Sequence, residues 1–415
     1  MADKGKLLIQ CFKGDDYIPI EGSNATIVQQ DSVGTSPVEV KLVTDSSGLT
    51  QIIELDAPPL EYSQAPSNNR PYSLCDISIN KDGFQPFTVK GCQIFPGETA
   101  YQKCNLTESS TTRSNNRADV IEVQDNRLYG DFPSKIPEEV DKPLPAPSSG
   151  VVLPKPVVPE FIIVHEGGPN IPGKNHTVLY KDYIKNVASS EIYSTWSKNT
   201  ITANVLCIIS FTLNRIYTEW YRSKGKSFDI TTSTAYDHAF SYGRNIYENI
   251  SNVVDEVFST YVRRIGRKQP LLTQYCDGKN VICPEWLSQW GSKDLGDKGM
   301  EPFNILTNYY GTDIELTTAE LVKGSPKSYP GYTLTIGSRG EPVRTTQEFL
   351  NRIAKNYPLI PKVGIDGIYG DSTAKQVKVF QGIFKLPKTG EVDFRTWYKI
   401  SEIYTGVTRI AELKQ

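Results

Sequence analysis

Glu191 stands in the run VASSEIYSTW, with Ile192, Tyr193 and Trp196 close behind it and the small residues Ser189 and Ser190 just before it. A general acid working at neutral pH needs a pKa above the usual glutamate value of about 4.3, and partial burial beside apolar and aromatic groups supplies that shift. The neighbours of Glu191 suit the demand, and the two serines leave room for a bulky ligand. The expectation is a carboxyl group in the wall of a cleft, partly exposed, with Arg215 within reach but not bidentately paired to it. A second stretch invites binding rather than catalysis. Asp366-Gly367-Ile368-Tyr369-Gly370 is a glycine-rich turn that passes at once into a run with Val377 and Phe380 at helical spacing. Glycines at 367 and 370 let the backbone turn tightly and leave Asp366 and Tyr369 at the rim of a groove.

Other chemistries find less material. Cys276 and Cys283 are spaced as a zinc pair could be, but no histidine stands beside them, so two buried free thiols are the reading and no metal is assigned. The seven cysteines are dispersed, odd in number and without a CxxC pair, which does not indicate a disulfide scaffold. Three histidines would have to be spent almost entirely on one metal site. No cofactor is implied. The 45 basic and 47 acidic residues are intermixed for a net charge of -2, so no basic field attracts nucleic acid. No apolar run approaches the ~20 residues of a membrane span. The start MADKGKLLIQCFKGDD lacks a charged n-region, apolar h-region and small-residue cleavage site, so no classical signal peptide is expected.

The elements that must position these residues fall into several units, since 415 residues exceed a single core. Residues 1–107 alternate in short runs such as KLLIQCF and TQIIEL, broken by TDSSG and NKDG, which predicts an all-β sandwich. Residues 108–151 carry a polar tract and then dense proline, PSKIPEEVDKPLPAPSSG, which predicts an extended linker open to proteases. Residues 152–323 begin with the strand EFIIVHE and turn helical, the run around Val205–Leu213 being apolar on all faces as in a central buried helix. An α-rich α+β catalytic unit is expected. After KGSPKSYPG, residues 324–415 predict a small three-helix module, and no internal repeat is evident.

That last module resembles the peptidoglycan-binding domain 1 family through IGSRGEPVRTTQEFLN, DGIYGDSTAKQVKVFQ and TGEVDFRTW, in the family's order. The resemblance implies that Asp366, Gly367, Tyr369, Gly370, Phe380 and Gln381 form or support a peptidoglycan site. In the central unit, YKDYIKNVASSEIYSTW, NRIYTEWYRSKGKSFDITTS and QYCDGKNVICPEWLSQWGSKDLGDKGMEPFNILTNYYG together resemble the sporulation stage II protein D family of lytic transglycosylases. Carried over residue by residue, that resemblance implies Glu191 as the catalytic acid and base. It places Arg215 with Tyr217, Ser288, Gln289 and Trp290, and Tyr309 with Tyr310 at the substrate, with Tyr236 and Tyr275 lining the same cleft. The family's glycine and histidine string before its Ser-Gln is replaced here by VICPEWL, so any role of that histidine is absent or taken by Cys283.

The order of sandwich, proline linker, transglycosylase-like unit and binding module is similar to the spore cortex-lytic enzymes of the SleC type. The resemblance implies an inactive precursor in the dormant spore, outside or at the cortex, and activation at germination by a subtilisin-like protease. Cutting near Val151 and Val152 in SSGVVLPKP would remove the N-terminal region. It also implies cleavage of the MurNAc-GlcNAc bond to leave 1,6-anhydromuramic ends. Two other functions compete: an N-acetylmuramoyl-L-alanine amidase, whose zinc ligands this chain hardly has, and a non-enzymatic spore-wall protein that only docks.

Overall fold

A computed structural model describes residues 3–14, 17–29, 38–109, 118–138, 156–281, 283–321, 330 and 332–408. The chain forms several units, sheet-rich at the N-terminal end and helical at the C-terminal end. The N-terminal strands are β1 (Asp3–Lys13), β2 (Ile18–Pro19), β3 (Asn24–Gln29), β4 (Val38–Val43), β5 (Ile53–Ala57), β6 (Ser73–Asn80), β7 (Phe87–Ile94), β8 (Thr99–Asn105) and β9 (Asp119–Glu122). In β1 the residues Leu7 to Phe12 are buried without interruption, because one face meets the opposing sheet and the other is covered as well. One sheet places β1 between antiparallel β5 and parallel β8, and the other runs in the order β4, β3, β6, β7, β9. Ile9, Ile27, Ile77, Val89 and Ile94 fill the core together with Cys11, Cys75, Cys92 and Cys104, free thiols that serve as small apolar side chains.

The sandwich does not end at residue 107. Residues 119–122, expected as linker, run parallel to β7 in the register Phe87 with Asp119 to Lys90 with Glu122. The central unit contributes a strand of its own to the other sheet, as described below.

That unit contains β10 (Val157–Val158), β11 (Phe161–His165), β12 (Asn175–Leu179), α1 (Tyr180–Glu191), α2 (Lys198–Tyr217), β13 (Ile230–Thr231), β14 (Ile246–Tyr247), α3 (Glu248–Val257) and β15 (Thr260–Arg264). It continues through β16 (Tyr275–Cys276), β17 (Leu287–Ser288), α4 (Gln289–Asp297), α5 (Pro302–Tyr310), β18 (Ile314–Thr318) and β19 (Glu320–Leu321). Ser197 caps α2 by accepting the Thr200 N–H, and the helix is buried from Ala203 to Arg215, so it is the axis of the unit. β10 and β19 pair and join the unit's two ends. The run from Gly243 to Gly266 predicts one helix, but only Glu248–Val257 is helical; the β-branched and aromatic Thr260-Tyr261-Val262 pair as a strand with Leu316-Thr317-Thr318. β14 adds antiparallel to β8, matching Ile246 to Tyr101, and so completes a sheet of the sandwich. Gln93 clasps this junction: its N–H donates to Asn245 Oδ1 at 3.1 Å, its carbonyl accepts from Asn245 Nδ2 at 3.0 Å, and its Oε1 accepts from Arg244 at 2.9 Å.

The C-terminal helices are α6 (Glu341–Ile353), α7 (Asp371–Ile383) and α8 (Phe394–Thr408). α8 docks on α3 through Phe394 and Tyr398 against Phe258. Beside it lies a buried ionic cluster fed by all three units. Lys181 meets Asp255 at 3.2 Å and Glu402 at 2.6 Å, Lys185 meets Asp255 at 2.8 Å, and Lys103 from the sandwich meets Asp182 at 3.0 Å. Burial works against the Asp255 charge, but Lys181, Lys185 and Lys399 outweigh it and bring its pKa to about 2. A carboxylate depressed on folding stabilises fully above its unfolded pKa of about 3.9, and loses that contribution as pH falls toward 2, for about 2 to 3 kcal/mol. Asp255→Asn is therefore expected to lower stability at pH 7 and to flatten the loss between pH 4 and pH 2. Urea titrations at several pH values check it, and parallel curves for the two proteins would refute it.

Candidate functional site

The last turn of α1 sets the geometry. Helix ends leave carbonyls without intrahelical partners, and here distant parts of the chain supply the donors. Asn126 Nδ2 donates to the carbonyls of Ser189 at 3.3 Å and Ile192 at 3.1 Å, the Arg127 N–H donates to Ser190 at 2.8 Å, and Gln289 Nε2 donates to Glu191 at 3.2 Å. Glu191 is thereby fixed at the helix end, with its side chain turned inward. Its Oε1 accepts the Ala239 N–H at 2.6 Å and its Oε2 accepts the Tyr275 hydroxyl. Only 1% of Glu191 is exposed, against the expectation of partial exposure.

The chamber beside the carboxylate is aromatic. The His238 ring lies 4.7 Å from Phe211 and 5.9 Å from Tyr275, and its Nδ1 meets the Tyr183 hydroxyl at 2.9 Å. Burial, reinforced by the charges of Lys135, Arg215 and Arg127, holds His238 well below the usual histidine pKa and so uncharged. Burial and the Glu191 charge raise the Tyr275 hydroxyl well above its usual value, which keeps it a donor. Lys135 reaches into this space: its ammonium stands 4.7 Å from the Phe211 ring and 5.0 Å from the Tyr275 ring and donates to the Asp237 carbonyl. Burial pushes its pKa down to about 7, opposed chiefly by the Glu191 charge.

Arg215 closes α2 as expected, yet it does not orient on Glu191. Its Nε donates to Asp237 Oδ1 at 2.8 Å, and its two terminal nitrogens grip Glu138 at 3.0 and 2.5 Å. Burial opposes its charge, but Asp237 and Glu138 outweigh burial and hold it more firmly protonated than usual. Asp237 also accepts from Tyr221 at 2.7 Å and from the Thr231 N–H at 2.9 Å. The bidentate partner of Arg215 is thus Glu138, in the opening residues of the proline-dense stretch.

Residues 125–138, expected as part of a free linker, are the main feature that sequence reasoning missed. Their anchors are irregular backbone and single side chains, which leave no periodicity to read. The other expected ligands divide. Gln289 holds the Glu191 backbone, and Tyr236 offers its carbonyl to Arg215 at 3.0 Å. Tyr217 ends α2 half-buried. Ser288 caps α4 by accepting the Gly291 N–H at 3.0 Å. Trp290 and Trp286 are buried, and Trp290 stands 5.1 Å from Trp196 and 5.8 Å from Tyr193, so it packs in the core instead of offering a face to a sugar. Tyr310 is likewise interior, donating to the Gln274 carbonyl at 2.7 Å, while Tyr309 is half-buried against Gly291. Cys276 and Cys283 are not free thiols: they form a disulfide with Cα atoms 5.7 Å apart. The turn between them folds back because Asp277 accepts the N–H groups of Asn280 and Val281, which returns Cys283 to Cys276 next to Tyr275.

In the C-terminal module, Asp366 is exposed and accepts from Gln347 and the Ile368 N–H, both at 2.9 Å; these hydrogen bonds lower its pKa. Tyr369 is not at a rim. It is 1% exposed and donates to the Gly390 carbonyl at 2.8 Å. Phe380 is core, and Gln381 is buried with its Oε1 accepting the Gly390 N–H at 2.8 Å. Gln347 accepts the Gly367 N–H at 2.9 Å in the same way, so the module uses one device twice: a helix glutamine that pins a glycine turn. Gly367 at φ +73° and Gly390 at φ +77° are in the left-handed region that side chains disfavour. The turn's outer edge exposes Ile336, Ile365 and Ile368.

A cavity of about 1300 Å³ opens between the sandwich and the central unit, lined in part by Phe12, Lys103, His176, Asp182 and Tyr242. Glu191, Tyr275 and Arg215 are not on it. The expected cut at Val151 and Val152 lies outside the described residues. Among the described residues no helix is long and apolar enough to cross a membrane.

Residues 339–400 match the family model described as "Putative peptidoglycan binding domain". No curated protein matches this chain. Among solved structures it is similar to a mutant of Acinetobacter radioresistens catechol 1,2 dioxygenase, at 15% identity and TM-score 0.19 over 29% of this chain and 58% of that one. It is similar to 3-chlorocatechol 1,2-dioxygenase from Rhodococcus opacus 1CP, at 13% identity and TM-score 0.19 over 26% and 61%. For sea bream transthyretin the values are 11% and 0.14 over 26% and 98%. The chain thus spans about three-fifths of the length of the two dioxygenases.

Proposed function

We propose that this chain is the precursor of a peptidoglycan lytic transglycosylase that acts on spore cortex and is activated by a germination protease. The observation that carries the reading is the placement of Glu191, a carboxyl group at a helix end held by the Ala239 N–H and the Tyr275 hydroxyl beside an aromatic chamber. It stands in a chain whose residues 339–400 match a peptidoglycan-binding family. One carboxyl group suffices for this chemistry. Glu191 gives its proton to the glycosidic oxygen as the bond from C1 breaks, then takes the proton of the C6 hydroxyl as that oxygen bonds to C1. The product is a 1,6-anhydro sugar, no water is consumed, and the acid is regenerated. A hydrolytic glycosidase would instead need two flanking carboxylates.

The test is the product profile on cortex of the protein after cutting and removal of its N-terminal piece. Anhydromuramic ends in the mass spectrum support the reading; released stem peptides would replace it by an amidase, and intact glycan by a docking protein.

Binding by the C-terminal module has its own check. Deleting the module would also remove α8 from Phe258 and Glu402 from Lys181, so point changes on the exposed edge are cleaner. The double substitution Ile365→Ser and Ile368→Ser is expected to weaken sedimentation with cortex sacculi by about tenfold, through lost apolar contact, at an unchanged unfolding midpoint. Equal sedimentation would move the binding surface elsewhere.

A further inference from the structure

We propose that residues 126–138 are a built-in occupant of the Glu191 site, with Lys135 filling the chamber and Glu138 holding Arg215, and that the site opens when this strap lifts off. The proposal deepens the reading of Glu191 as the acid and rests on it. Burial along the strap shows two footholds and an arch: Asn126, Arg127, Leu128 and Lys135 are buried, whereas Asp131, Pro133 and Ser134 between them are exposed. The first foothold supplies the donors at the end of α1. Around the second, the Ile136 N–H donates to the Ala235 carbonyl at 2.7 Å, Gln274 Nε2 donates to the Ile136 carbonyl at 3.1 Å, and the Glu138 N–H donates to Gln274 Oε1 at 3.2 Å. The partners of the strap are therefore the backbone and the side chains that surround Glu191. Lys135 stands over the ring of Tyr275, whose hydroxyl donates to Glu191, and Glu138 sets its carboxylate on Arg215.

A cut near Val151 would fall after the strap, so the strap would stay with the N-terminal piece. That piece is joined to the strap through β9 and held on the central unit by β8 with β14, by the Gln93 clasp, and by Lys103 on Asp182. Cutting alone then leaves the site filled, and release of the piece empties it.

The test compares the intact chain with its Lys135→Ala, Glu138→Gln double variant. Both are treated with a water-soluble carbodiimide and glycine ethyl ester, and labelling at Glu191 is read by mass spectrometry. Glu191 is expected to stay unlabelled in the parent and to label at least about tenfold faster in the variant, since loss of the footholds' contacts shifts the strap toward its open state. The uncut variant should also release anhydromuropeptides at least about tenfold faster than the uncut parent. A folded variant in which Glu191 remains as protected as in the parent overturns the proposal. Labelling that rises without anhydromuropeptide release, from the variant and from the cut parent freed of its N-terminal piece alike, keeps the strap and removes the transglycosylase reading. A second measurement needs no substitution: the parent is cut and fractionated by size while its pieces are still together. Glu191 should be protected in that complex and labelled once the pieces separate; labelling within the complex would also overturn the proposal.

Discussion

Glu191→Gln is expected to abolish release of anhydromuropeptides from cortex by the protein cut and freed of its N-terminal piece, by on the order of a thousandfold, the scale on which general acid and base catalysis contributes. The fold should survive, for a reason visible in the site. The amide oxygen of glutamine can accept the Ala239 N–H, and its NH2 group can donate to the Tyr275 oxygen, because a phenol accepts as well as donates. Shape and both contacts persist, and only the titratable proton is lost. Tyr275→Phe makes the contrast. It leaves the buried Glu191 Oε2 without its donor, which costs stability by about 1 to 3 kcal/mol while the carboxyl group remains. The two variants thus separate loss of the proton from loss of the support. A correctly cut Glu191→Gln protein that lyses cortex at the normal rate would show that another group is the acid.

The largest effect on stability should come from Arg215→Met in the uncut chain. Arg215 is 1% exposed and Asp237 is fully buried, and the guanidinium joins α2, the loop carrying Asp237 and the strap residue Glu138 in one network. Methionine fills much of the volume but leaves Asp237 and Glu138 without the cation they share, a loss of about 3 to 5 kcal/mol for a broken buried pair. Arg215→Lys should recover only part of it, since an ammonium cannot serve Asp237 and both oxygens of Glu138 in the planar geometry of the fork. Urea unfolding of the three proteins reads this directly. A midpoint for Arg215→Met within error of the parent would mean that burial penalties cancel the pairing. The same variants bear on function: in the uncut chain Glu138 occupies the nitrogens of Arg215 that were expected at the substrate, so any such role belongs to the state after the strap has left.

Much of this architecture was legible locally. The short apolar run KLLIQCF marks β1, the run around Val205–Leu213, apolar on all faces, marks α2, and the glycine turns of the last module, with their order, carry its likeness to a peptidoglycan-binding family. These signals are readable because helix period, strand period, caps and turns depend on neighbours within a few residues. The tertiary structure decided what depends on distant partners. The aromatic residues around Ser288 carry no mark that says core or ligand, and only packing against Tyr193 and Trp196 makes Trp290 interior. Cys276 and Cys283 became a disulfide because the turn at Asp277 folds back. A strand of two residues, Ile246–Tyr247, is too short to read as one, yet it completes a sheet of the sandwich because the edge of β8 needs hydrogen-bonding partners. The same need for partners, at the carbonyls ending α1 and at the guanidinium of Arg215, brings residues 126–138 over Glu191; that segment has proline and no periodicity, and only the folded surface beneath it shows that it is not a free linker.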